Sequence, residues 1–164
     1  MLNRKELAEF FNQRLDRVLA DRGQTFSPFW LSLGYALHRR KRADGYWLPK
    51  YQHLAEIAME LGVTCDYLLG LTEESNAEYL AKESHDTEDV EFSAFCRFDD
   101  LVYDEKLSAK QISAAADCTD NVPYTWIRDE LAPGTYHLYR LCAAFGISFD
   151  YMIGLTEVKA LPVP

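Results

Sequence analysis

Basic side chains gather in one short segment of the sequence, HRRKRAD, and they offer its clearest binding chemistry. Guanidinium and ammonium groups pair with phosphate oxygens, and arginine also forms paired hydrogen bonds with guanine. Four consecutive basic residues would cover every side of a helical turn, so some of them could form only a solvated, ion-paired face. The residues predicted to contact phosphate are His38, Arg39, Arg40, Lys41, Arg42 and Lys50.

Catalytic patterns are not found in the sequence. It has no Ser-His-Asp spacing, no glycine-rich phosphate loop and no paired carboxylates in a recognisable context. The four cysteines are far apart and no histidine stands at metal-ligand spacing, so we expect buried thiols rather than a metal site. His53 and His137 hold matching repeat positions at the starts of predicted helices. We expect both side chains to have a helix-end or packing role rather than a catalytic one. We therefore expect no enzyme activity, no metal and no cofactor.

Charge is divided unequally along the chain. Residues 1–75 contain ten Lys and Arg against ten Asp and Glu, whereas residues 76–164 contain seven against sixteen, so the whole net charge of −9 belongs to the second part. Counterion release from phosphates supplies much of the affinity for nucleic acid, and it requires positive side chains. Contact with nucleic acid is therefore predicted for the first part.

Length and composition suit a compact fold. A chain of 164 residues that is 48% apolar can form one ordinary domain or two small ones. The N-terminal segment carries a charge every few residues, unlike a signal peptide, and no apolar run approaches the length of a membrane span. We expect a cytoplasmic protein without membrane contact.

An internal repeat sets the domain organisation. The segment LGVTCDYLLGLTEE, starting at Leu61, returns at an offset of 84 residues as FGISFDYMIGLTEV, starting at Phe145. Two long copies indicate two related domains rather than a solenoid. The predicted units are a domain at 1–75, an acidic linker at 76–90, a second domain at 91–157 and a tail at 158–164.

Each repeated segment predicts a helix, a stop and a second short helix. Apolar residues at helical spacing run up to Gly62 or Gly146, where a left-handed C-terminal cap is expected. Thr64 and Ser148 are then the predicted N-caps of the following helix.

Upstream of these segments the two copies differ. In the first, a long amphipathic helix ends at Gly23 and Ser27 caps the next helix. In the second, Ser108 caps a helix that runs through Ala116, and Thr119 caps a helix in VPYTWIRDE. The residues of the long helix predicted to face inward are Leu7, Phe10, Phe11, Leu15, Val18 and Leu19.

The closing segments resemble the lambda-repressor-like helix-turn-helix family, of the Cro and xenobiotic-response-element type. A leucine-rich helix, a Gly-Val-Ser turn and an Asp-Tyr-Leu-Leu-Gly stretch recur in that family. The corresponding segments here are Gly62-Val63-Thr64 with 66–70, and Gly146-Ile147-Ser148 with 150–154. The resemblance covers most of residues 1–75 and 90–157. It implies an all-α fold of two tandem five-helix domains.

The family resemblance implies a DNA-binding transcriptional regulator of bacterial, phage or mobile-element type, whose recognition helix enters the major groove of double-stranded DNA. In the first copy the presumed recognition helix is HRRKRAD. The interval from His38 to Pro49 is three residues shorter than that from Thr119 to Pro133, so the register of this helix stays open. Two fused copies would supply two DNA-binding units in one chain.

The acidic second copy leaves a second hypothesis open. Its recognition helix carries acidic residues at both ends and would repel phosphate, so this copy could instead serve packing, dimerisation or a protein partner. The residues predicted for such an interaction are Tyr124, Trp126 and Tyr136, although tryptophans at helical spacing, Trp126 among them, are also typical of a core. In the alternative function, the whole chain is an acidic protein-binding module, namely a DNA mimic, inhibitor or adaptor. Whether the chain forms a homodimer stays open.

Overall fold

The computed structural model of the protein describes residues 1–36, 40–42, 45–75 and 89–161, without the side chains of residues 41 and 42. This part is mostly helical, which confirms the all-α class, and its strands form only a short hairpin. None of its helices is both long enough and apolar enough to cross a membrane. Residues 1–75 are called the first half below, and residues 89–161 the second half.

The first half contains four helices and the hairpin within its described residues. The elements are α1 (Arg4–Asp21), α2 (Phe26–Ser32), β1 (Lys41–Arg42), β2 (Gly45–Tyr46), α3 (Tyr51–Leu61) and α4 (Cys65–Leu69). The second half contains five helices. They are α5 (Val90–Asp104), α6 (Ala109–Ala116), α7 (Val122–Arg128), α8 (Thr135–Phe145) and α9 (Phe149–Met152).

The long first helix forms as its pattern predicts. Asn3 accepts backbone hydrogen bonds from Lys5 and Glu6, and the Glu6 carboxylate accepts one from the Asn3 N–H at 2.8 Å, which completes a capping box. The helix ends just before Gly23. The residues predicted to face inward are buried, apart from Phe10, which is half-buried.

Two of the predicted helix caps upstream of the closing segments are wrong, and one is confirmed. Ser108 caps α6 in a capping box with Gln111. Ser27, however, lies inside α2, because the buried Phe26 already belongs to the helix and Thr25 precedes it. Thr119 contributes its carbonyl, which accepts from the Val122 N–H at 3.0 Å, while the N-cap position of α7 falls two residues later.

The basic segment does not form the predicted recognition helix at Lys41 and Arg42. These residues form β1, which pairs with β2 in antiparallel register. The Trp47 N–H continues the hairpin by donating to the Arg40 carbonyl at 2.6 Å. The Trp47 ring packs edge-on against Trp30 and two phenylalanine rings of α1 and α2, which holds this stretch extended. The corresponding interval of the second half forms α7.

The closing segments have the same structure in both halves. Gly62 and Gly146 end α3 and α8 with left-handed backbone conformations, at φ 56° and 65°. Thr64 caps α4 and Ser148 caps α9, through hydrogen bonds from Tyr67 and Tyr151 at 2.9 and 3.1 Å. These predictions from the repeat are confirmed.

In each half, an arginine of the first helix binds the end of the closing segment. Arg14 of α1 donates to the carbonyls of Tyr67 and Thr72, and pairs with Glu73. Its guanidinium lies 4.3 Å from the centroid of the Tyr67 ring. Arg14 therefore joins the first helix of the first half to the end of that half.

The second half repeats this contact. Arg97 of α5 donates to the carbonyls of Tyr151 and Thr156, pairs with Glu157 at 2.7 Å, and lies 4.1 Å from the Tyr151 ring centroid. The three partners are the repeat equivalents of those that Arg14 contacts.

The two halves meet where α4 packs against α9, and we call this contact the seam. Asp150 accepts hydrogen bonds from the backbone N–H groups of Cys65 and Asp66, both at 2.9 Å. In return, Asp66 accepts from the Phe149 N–H and the Ser148 hydroxyl, both at 2.6 Å. Each carboxyl group thus satisfies the free N-terminus of the helix in the other half.

Burial makes the seam carboxyl groups unusual acids. Asp66 is 4% exposed and Asp150 is fully buried. Burial, together with the facing Asp150 carboxylate, raises the pKa of Asp66 to about 8. Burial also raises the pKa of Asp150. The protonated form of Asp66 is therefore favoured up to a higher pH than in an ordinary aspartic acid.

Further contacts join the halves at the edges of the seam. The Thr135 hydroxyl donates to the Pro49 carbonyl at 2.7 Å, and α3 packs against α5. Helix α5 already begins at Val90, within the predicted linker, whose residues 76–88 lie outside the described residues. The predicted tail starts as part of the second half, because Ala160 forms a β-bridge with Ile147.

The seam predicts how stability depends on pH. Because the pKa of Asp66 is higher in the folded chain than its ordinary 3.8, the native state binds more protons, and stability must fall as pH rises from about 4 to about 8. The loss is up to about 1.4 kcal/mol of unfolding free energy per pH unit for one proton. Urea unfolding at a series of pH values measures it.

The Asp66→Asn variant tests the assignment. An amide keeps an acceptor for the Phe149 N–H and can donate to Ser148, but it does not titrate, so the variant should flatten the pH profile. Asp104→Asn, at an exposed carboxylate, is the matched control and should leave the profile unchanged. A wild-type slope that survives in Asp66→Asn would contradict the prediction.

Candidate nucleic-acid interface

The residues predicted to contact phosphate do not share one helix. His38 and Arg39 lie outside the described residues. Lys41 and Arg42 form β1, where they pair with Tyr46 and Gly45. The remaining two, Arg40 and Lys50, have very different surroundings.

Arg40 is directed towards α1 rather than towards solvent. Its side chain is 17% exposed and donates to Asp16 at 2.6 Å and to the Asn12 amide oxygen at 3.2 Å. The guanidinium also lies 4.0 Å from the centroid of the Phe26 ring. With these contacts made, Arg40 holds the hairpin against α1 and α2.

Exposed cations surround the hairpin. Arg4, Lys5 and Lys50 are exposed, and none of them forms an ion pair within the described part of the chain. Arg4 and Lys5 line a cavity of about 500 Å³ between the start of α1 and residues 45–48. A smaller cavity of about 150 Å³ is lined by both Arg4 and Lys50. We call these three side chains and the adjoining hairpin the cationic surface.

Helix α1 fixes the hairpin in the cationic surface. The Asn12 amide, which is 1% exposed, donates to the Trp47 carbonyl at 2.6 Å and to the Ala8 carbonyl at 2.7 Å. The aliphatic part of Lys5 lies over Gly45, where an added Cβ would stand 3.5 Å from the Lys5 Cγ. The cations of α1 and the hairpin therefore hold a fixed mutual position.

Two of the three aromatic residues predicted to bind a protein are in the core instead. Trp126 is 8% exposed and packs edge-on against Phe98. Tyr136 is 7% exposed, and its hydroxyl donates to Asp117. Tyr124 of α7 is 63% exposed and is the member of this set that a partner could reach.

An exposed apolar stripe runs along α7 and was not predicted. Ile127 and Leu131 are 41% and 45% exposed, and they follow Tyr124 at spacings of three and seven residues. Within α7 this spacing puts Tyr124 and Ile127 on one side of the helix. Leu131 lies beyond the end of the helix, where its backbone N–H donates to the Trp126 carbonyl at 2.9 Å. The sequence pattern does contain this stripe, but a stripe of this kind usually faces a core.

The two histidines at matching repeat positions are held in packing contacts. His53 Nδ1 is 2.9 Å from the Tyr35 hydroxyl oxygen, and His137 Nδ1 is 2.9 Å from the Ala116 carbonyl oxygen. Burial and a hydrogen bond to Glu56 raise the pKa of Tyr35 to about 12, so this hydroxyl stays protonated. The two histidine contacts hold α3 against Tyr35 and α8 against the end of α6.

Cysteine thiols do not assemble into a site. Cys65 and Cys142 are buried, which raises the pKa of both thiols, while Cys96 and Cys118 are half-buried. Among the described residues, no three His, Cys, Asp or Glu side chains are placed to hold a metal ion.

No protein-family model matches the chain, and searches of curated proteins and of solved structures find no match either.

The surroundings of Arg40 predict a structural effect of its removal. Arg40→Ala should lower the unfolding free energy by about 1–3 kcal/mol, because it leaves the buried Asn12 oxygen without its donor. Lys50→Ala, at an exposed position, should stay within about 0.5 kcal/mol of the wild type. Urea unfolding of the two variants measures both effects. Unchanged stability of Arg40→Ala would contradict the positioning role.

Proposed function

We propose that the chain is a non-enzymatic, DNA-binding transcriptional regulator of bacterial, phage or mobile-element type that acts in the cytoplasm on double-stranded DNA. The cationic surface carries this proposal. It collects Arg4, Lys5 and Lys50 around a hairpin that bears two further basic residues, whereas the excess negative charge lies in the other half of the chain. Exposed cations without acidic partners are what phosphate binding requires.

The proposed fold-level description is two tandem lambda-repressor-like helix-turn-helix domains. In the second half, α6 packs against α7 and α8, and the turn after α6 starts with Asp117 in a left-handed conformation, at φ 59°. Helix α8, its glycine cap and α9 then follow in the order that the family resemblance implies. The first half shares the closing arrangement but has the hairpin in place of α7.

The hairpin is the proposed DNA-contacting element. A two-stranded ribbon is narrow enough to enter the major groove of DNA, as a helix is. In this proposal Lys41 and Arg42 contact bases or phosphates, and the flanking cations contact the phosphates on either side. Arg40 acts as a positioning residue, since it holds the hairpin against α1.

DNA binding is tested by fluorescence anisotropy with random duplex DNA. If about four phosphates are contacted, affinity should fall about 100-fold between 50 and 200 mM salt. The Arg42→Glu, Lys50→Glu double variant should bind far more weakly and with a shallower salt dependence. The absence of wild-type binding at low salt would contradict the proposal.

A matched control separates local contact from net charge. Lys106→Glu with Lys110→Glu changes the charge of the chain by the same amount, but in the second half. This variant should keep most of the affinity for DNA. Equal losses in the two double variants would show that overall charge, and not the cationic surface, determines binding.

A second candidate function is favoured by the exposed stripe on α7. Where a DNA-reading helix would present cations, this helix presents Tyr124 and Ile127, with Leu131 exposed just beyond its end. Its arginine is paired with Asp129 at 2.6 Å. Such a face suits a protein partner better than phosphate. If the chain does not bind duplex DNA even at low salt, an acidic protein-binding module becomes the better description.

A further inference from the structure

The surface around α7 combines an apolar stripe with an acidic rim. The stripe consists of Tyr124, Ile127 and Leu131, which are 41–63% exposed. Asp129 and Glu130 after the helix are exposed beside it, as is Asp120 before the helix. Asp129 is paired with the exposed Arg128 at 2.6 Å, so the rim has three acidic residues against one arginine. We call the stripe and its rim the α7 face.

The cationic surface of the first half has the complementary composition. Its larger cavity has Arg4 and Lys5 on one side and Tyr46, Trp47 and Leu48 on the other, with a volume of about 500 Å³. A cavity of this size accommodates large side chains. The exposed cations of this surface are complementary to the excess of negative charge on the rim of the α7 face.

We infer that the α7 face of one chain docks on the cationic surface of a second copy, so that two chains form a closed dimer with two identical contacts. Contact within one chain is excluded by the exposure of both surfaces in the same fold. Each chain carries one of each surface, and in the inferred two-fold dimer both pairs form at once, so that the assembly closes instead of extending into a fibre.

This inference deepens the proposed function and rests on it in one respect, since the surface that would be covered is the one proposed to contact DNA. The acidic rim then takes the place of phosphates, and dimerisation and DNA binding exclude each other. DNA in excess should therefore convert dimers into DNA-bound monomers. The association itself can be measured without DNA, so the two proposals fail separately.

Sedimentation velocity of the full chain over a range of concentrations and salt tests the association. We expect a dimer that weakens as salt rises, because opposite charges form much of the contact. Ile127→Ser with Leu131→Ser should weaken dimerisation about tenfold or more, as expected when central apolar contacts of an interface are lost. Phe92→Ser with Tyr103→Ser is the matched control, since these residues of α5 are 69% and 82% exposed but lie outside both surfaces.

Charge exchange tests the pairing of the two surfaces. Arg4→Glu with Lys5→Glu should prevent dimerisation, and so should Asp129→Lys with Glu130→Lys. All four substitutions in one chain should restore it, because attraction returns with the signs reversed. Glutamates in the first turn of α1 are compatible with its helix dipole, and circular dichroism checks that each variant is folded.

Three results would overturn the inference. They are a chain that stays monomeric at every concentration, a dimer that none of the α7-face and cationic-surface variants weakens, and failure of the four-substitution chain to dimerise although both parent variants lose the dimer. Dimerisation that follows the expected pattern in a chain that does not bind DNA would support the inference and contradict the proposed function.

Discussion

The structure depends on a reciprocal exchange of caps between its halves. The carboxyl groups of Asp66 and Asp150 each accept two hydrogen bonds from the start of the opposite short helix. Helices as short as α4 and α9 are not stable alone, so these bonds matter more than they would at the end of a long helix. Burying two acidic groups together costs free energy unless each of their oxygens receives a hydrogen bond. This requirement restricts the position of one half relative to the other.

Most of the fold can be predicted from local patterns and from the repeat. Gly62 ends α3 and Thr64 caps α4, and both roles follow from backbone chemistry alone. The same holds for the matching residues of the second copy. The arginine contacts could not be found in this way. Arg14 and Arg97 are 83 residues apart, whereas the closing segments are 84 apart, so a fixed offset does not align them. The seam was also not predictable, because each cap crosses between halves.

The candidate site was harder to predict than the fold. A run of arginine and lysine favours a helix by intrinsic propensity, and the tertiary contacts of Trp47 and Asn12 override that preference. The composition places more of the positive charge in the first half, and Lys50 and the first residues of α1 are exposed there. It could not show that Arg40 is already engaged by α1, because that contact joins residues 24 and 28 positions apart.

Because the two related halves belong to one chain, the seam joins them without requiring them to be identical. In a dimer of identical chains every substitution appears twice, so a change that suits one subunit must suit the other. In a single chain each copy can change alone, provided that the shared contact keeps its geometry. The hairpin and α7 occupy corresponding intervals of the repeat and differ in shape and charge, while the aspartates at the seam match. One repeated framework thus presents two different faces in a single chain.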